Sequence, residues 1–177
     1  MMEMRKLAQK FFLYIAKLRS EVKGKKIINF TQAFQRARYI VVIMPREKEQ
    51  FMIAYDLLKD IPGKYNITVI ATSNFKEYFT IKRYRYVEIT KDDVSIFGLP
   101  KKNFIRKLSL FRYDVAIDMS FNFDLFNAWL CQELNAGIKI GFKRDDSDLF
   151  YNFQLAIKRD TDLRSAYHGI IGSLSIF

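Results

Sequence analysis

Between positions 39 and 142, short and nearly unbroken apolar runs alternate with longer stretches in which apolar residues return every three or four positions. The runs at 39–44, 67–71, 115–117 and 138–142 are too short for helices and lack polar alternation, so each predicts a strand covered on both faces. Segment 84–89 alternates, and 150–158 reads as a further strand. Phe51, Ile53, Ala54, Leu57, Leu58 and Ile61 sit at helical spacing, and Pro62 and Gly63 end that pattern. Similar spacing predicts helices over 101–111, 124–134 and 165–176, with a short one at 74–80. The polar stretches 45–48, 90–99 and 143–148 read as loops. Because parallel strands need crossover connections, this order predicts one α/β domain of Rossmann-like topology with a doubly wound, mainly parallel sheet.

Ahead of it, residues 1–22 set Leu7, Phe11, Phe12, Tyr14, Ile15 and Leu18 among basic residues, as in a basic amphipathic helix. Residues 23–26 read as a solvated turn. The expected division is a basic helical extension over 1–38 and the Rossmann-like domain over 39–177.

Charge changes the picture most. The 177-residue chain carries a formal net charge of +11, and the first 48 positions hold twelve basic residues against three acidic ones. Such asymmetry attracts anionic partners: membrane headgroups, a phosphorylated glycan, nucleic acid or an acidic protein. The helix over 1–22 either packs on the domain or lies on an anionic membrane, giving a peripheral membrane contact through residues 1–26. Single cysteine and histidine residues, Cys131 and His168, exclude an internal disulfide and multi-thiolate or multi-histidine metal sites. They fit a reducing, cytoplasmic setting. No Gly-rich phosphate cradle stands among the seven glycines, so no metal and no cofactor is expected.

Candidate chemistry gathers where a strand ends at Asp118. Ligands of open α/β sheets bind beyond the carboxyl ends of the strands, which singles out Asp118, Ser120 and Asn122. The plainer alternative makes Asp118 the cap of the next helix. Asp145, Asp146 and Asp148, like Asp92 and Asp93, lack calcium-loop spacing and read as solvated loops. Lys82, Arg83, Tyr84, Arg85 and Tyr86 interleave cations with aromatics as a single-strand-binding surface would. With no RNA-binding signature beside them, they read better as a strand with one charged face, and nucleic acid is the least supported partner class. His168 and Cys131 read as structural residues.

Three segments together carry a likeness: IVVIMPREKEQFMIAYDLL from Ile40, RYDVAIDMS ending the strand at Asp118, and NAGIKIGF. In order and spacing they resemble the N-terminal domain of the family 9 glycosyltransferases, the lipopolysaccharide heptosyltransferases of GT-B architecture, over about 39–177. The segment through His168 is similar to that family's helix leading out of its first domain. The resemblance implies an acceptor-binding half whose catalytic base, an Asp, follows the first strand. Here Glu49 and Gln50 stand at that Gly-Asp pair, and a glutamine amide cannot accept the proton. Glu47 and Glu49 are the only substitutes nearby. In that family the nucleotide-sugar donor is held mainly by the second domain, which this chain would have to receive from a separate donor-domain protein.

The expected function is therefore a stand-alone glycosyltransferase-like domain without independent catalysis, binding an anionic glycan, lipid or partner protein. Its expected binding residues are Arg46, Gln50, Asp118, Ser120 and Asn122, and its expected location is cytoplasmic, with a peripheral position at the inner membrane face as the option that the basic helix opens. The alternative is the acceptor half of a split transferase.

Overall fold

The computed structural model describes residues 2–23, 28–158 and 160–174, giving only helical backbone for 2–6 and 21–23; the turn expected at 23–26 falls largely outside it. Six strands form one sheet: β1 (Tyr39–Ile43), β2 (Asn66–Thr72), β3 (Arg85–Ile89), β4 (Tyr113–Asp118), β5 (Ala136–Phe142) and β6 (Phe153–Leu155). Every pairing is parallel, in the order β3-β2-β1-β4-β5-β6. The chain lays strands outward in one direction from β1, then returns to start the other half at β4. The β1/β4 boundary is the topological switch point.

Both faces of the sheet are covered. Ile40, Val42 and Met44 enter one core with Val115 and Ile117, while Val41 and Ile43 enter the other with Ala116. Over the first face lie α2 (Phe30–Arg36), α3 (Lys48–Leu57) and α6 (Leu163–Gly172), through Phe34, Phe51 and Tyr167. Over the second lie α1 (Met2–Lys23), α4 (Lys102–Ser109) and α5 (Leu125–Glu133), through Ala16, Phe104 and Leu130. Burial on both sides is why these strands read as unbroken apolar runs.

Helix α1 is fixed to the domain at named contacts. The Phe12 ring meets Trp129 edge-on at 5.6 Å, and Arg19 both lies over Trp129 and pairs with Glu133 at 2.7 Å.

Three elements differ from the sequence-based expectation. The strand expected over 150–158 shrinks to Phe153–Leu155, because Phe150 and Tyr151 are buried core plugs ahead of it. The helix expected at 74–80 is a 3₁₀ helix, Ser73–Tyr78. Helix α2 was not anticipated, although Asn29 caps it by accepting from Gln32 N–H. The loop at 90–99 also holds a 3₁₀ turn, Lys91–Asp93, closed by reciprocal bonds between Thr90 and Asp93, so Asp93 is a capping residue.

Candidate functional site

Two loops meet at the switch point: 44–47 after β1 and 119–124 after β4. Met119 N–H donates to the Ile43 carbonyl at 3.0 Å, which holds the second loop to the end of β1. Asn127, fully buried on α5, donates to the Met44 carbonyl at 3.0 Å and to Ser120 Oγ at 2.8 Å. One amide thus ties both loops together. Its Oδ1 is left as a buried acceptor without a hydrogen-bond partner.

Gln50, only 7% exposed, lies between the two loops. Its amide nitrogen donates to Glu47 Oε2 at 2.5 Å, and its carbonyl oxygen accepts from Phe121 N–H at 3.1 Å and from the Tyr167 hydroxyl at 3.5 Å. A carboxylate could take the last two bonds but not donate the first. Glu47 is the exposed N-cap residue of α3, without a side-chain capping bond, and Glu49 stands exposed in the first helical turn.

Asp118 lies elsewhere. Alternation along β4 sends Val115 and Ile117 toward α3, and Ala116 toward α5. Asp118 shares the parity of Ala116. It is 1% exposed, accepts from Ser120 N–H at 2.8 Å, and takes the Tyr151 hydroxyl at 2.6 Å. Burial raises its carboxyl to about 6 although both hydrogen bonds act the other way. The capping role considered for Asp118 falls instead to Asp124, which accepts from Phe126 and Asn127 N–H. Asp124 also receives Arg46 Nε at 2.7 Å, with the Arg46 guanidinium over the Phe126 ring.

The structure therefore brings Glu47, Gln50 and the 119–124 loop together, with Ser120 buried behind them, Asn122 exposed on the loop, and Arg46 at the rim. Asn127, Phe121, Tyr151 and Arg144 were missed by sequence reasoning. Arg144 covers the Phe121 ring and donates to its carbonyl at 3.1 Å. Only Asn127 left a signal, as a polar residue inside the apolar stretch 125–131. Among the described residues no cluster of three or more potential ligating side chains could hold a metal ion.

Two solved structures share this architecture. The E. coli heptosyltransferase WaaC with ADP superposes with a TM-score of 0.56 at 14% identity, over 76% of this chain and 46% of that one. A glycosyl transferase family 9 protein from Veillonella parvula DSM 2008 gives 0.64 at 15% identity, over 79% and 42%. The chain spans under half the length of either. These likenesses define the fold class: a Rossmann-like α/β domain. The chain itself belongs to the Family of unknown function (DUF6913), whose model matches residues 10–170. No curated protein matches it.

Proposed function

We propose that this domain is a glycosyltransferase-like binding module without independent catalysis, holding an anionic glycan or lipid headgroup at a membrane surface. The observation that carries this reading is Gln50. The position that the family resemblance gives to the proton acceptor holds an amide, buried and committed to Glu47, Phe121 and Tyr167. General-base catalysis needs a group that takes up a proton, and an amide does not. A second reading, the acceptor half of a split transferase, has one observation in its favour: Glu47 places an exposed carboxylate against Gln50.

Membrane placement draws on α1. Leu7, Phe11, Tyr14 and Leu18 recur at steps of four, three and four residues, so they share one face, opposite to Phe12 and Ala16, and each is at least 44% exposed. Exposed Lys10 and Lys17 flank that face. Phe97, on an exposed loop tip with Ile96, meets Phe12 at 5.9 Å on the side of α1 that faces the domain. Apolar side chains beside lysines complement an anionic bilayer interface. No described helix is long and apolar enough to cross a membrane.

Co-sedimentation with phosphatidylglycerol-containing vesicles tests this. The chain is expected to bind them and to ignore neutral phosphatidylcholine vesicles. The double substitution Phe11→Ser/Leu18→Ser is expected to lower partitioning by about tenfold or more, since each buried side chain contributes about 1.5–3 kcal/mol. Equal binding to both vesicle types, or none to either, would remove the membrane part of the proposal.

A further inference from the structure

One cavity lies at the wrong edge of the sheet for a Rossmann-type ligand. It has a volume of about 700 Å³ and is walled by the first residues of β1, β2, β3 and β4, Tyr39, Asn66, Arg85 and Tyr113, at their amino ends. Ligands of open α/β sheets bind at the carboxyl ends, so the fold does not account for it.

Its chemistry is one-sided. Five arginines line it: Arg36, Arg38, Arg83, Arg85 and Arg112. Among the described residues none of them has a carboxylate within ion-pair distance. The Arg38 guanidinium is held by the carbonyls of Gln35 and Ala37, and that of Arg83 by the carbonyls of Lys59 and Ile61 and the Tyr84 hydroxyl. Arg85 lies 3.6 Å above the Phe111 ring. These contacts orient three of the cations without neutralising them. Asp114, the one acid in the wall, accepts through Oδ2 from the backbone N–H groups of Arg38 and Tyr39 at 2.7 and 2.9 Å. The buried Tyr113 hydroxyl lies beside Thr68 without completing a hydrogen bond.

Uncompensated guanidinium groups around one concavity repel one another until an anion joins them, and their planar forks suit phosphate oxygens. The geometry points to a second binding site, at the amino-terminal edge of the sheet, for a compact small molecule carrying two or more phosphate groups. A volume of this size fits a small ligand. An adjoining cavity of about 640 Å³ shares Arg36 and Arg112, but its other walls, among them Ala33, Asn135 and Asn152, add no cation. Arg38, Arg83 and Arg85 line the first cavity and not the second. This site is at the opposite edge of the sheet from Gln50.

Titration calorimetry of the full chain with tripolyphosphate at about 150 mM salt, where diffuse attraction is screened, tests the inference. One ligand per chain is expected. The exposed pair Arg36→Ala/Arg112→Ala should weaken binding by about tenfold or more with an unchanged circular dichroism spectrum. Lys91→Ala/Lys102→Ala, which removes two exposed cations outside the cavity, should leave binding unchanged. Heat that never saturates, an equal loss in the lysine variant, or preference for a single-stranded oligonucleotide carrying several chains per strand would overturn it.

Discussion

Gln50→Leu is expected to lower folding stability by about 2–4 kcal/mol, because it removes the acceptor of one backbone donor and one buried hydroxyl together. Leucine matches the volume of glutamine closely, so no cavity confuses the result. What is lost is the acceptor for Phe121 N–H and Tyr167 O–H, and the donor to Glu47. Urea unfolding checks it, with the loss seen as a lower midpoint at unchanged slope. Gln50→Glu restores a carboxylate at this position but sets it against Glu47, from which the Gln50 nitrogen is now 2.5 Å away. It is expected to lose stability at neutral pH, and Gln50→Glu/Glu47→Gln, which exchanges donor and acceptor, should recover most of it. Recovery distinguishes a polar lock from a position that merely tolerates glutamine.

Gly141→Ala is expected to cost still more, about 3–5 kcal/mol, from overpacking and a lost hydrogen bond to a buried carboxyl. A Cβ at Gly141 would stand 2.5 to 2.7 Å from three atoms of the Tyr151 ring. The ring must move, and its hydroxyl then leaves Asp118. At this chain length the melting temperature should fall by roughly 10 °C. Tyr151→Leu in the same chain relieves the clash, so the double variant should be less destabilised than the sum of its parts.

Asp118 adds a pH signature to that network. Its folded carboxyl titrates at about 6, above its ordinary value of 3.8, so between those values the folded state holds a proton that the unfolded chain has released. Stability attributable to this group is therefore full below about pH 4, falls through about pH 4 to 6, and is level above. Asp118→Asn should flatten that segment of the stability profile.

Much of the fold was legible because its strands are buried on both faces: Ile40 to Met44 read as a strand only because alternate residues face different helices. The switch-point loops followed from the position of Asp118 at a strand end. Which way Asp118 faces did not follow, since that depends on which helix covers each face. Helix α2 was hidden by the dense positive charge around it, although Asn29, Ala33 and Phe34 carried its signal. Phe150 and Tyr151 looked like strand residues because a core plug and a strand share the same apolar composition. The arginine cavity could not be read at all. Its cations come from three separate stretches, around 36–38, 83–85 and 112, and only the parallel sheet brings their ends together.

Sugar transfer is the most direct test of the central proposal. Purified chain would be incubated with a nucleotide-linked sugar and an anionic glycan acceptor, and the acceptor weighed by mass spectrometry, for the wild type and for Glu47→Gln. A binding module centred on the Gln50 amide predicts an acceptor of unchanged mass with both proteins. An acceptor heavier by one sugar with the wild type, and unchanged with Glu47→Gln, would contradict it.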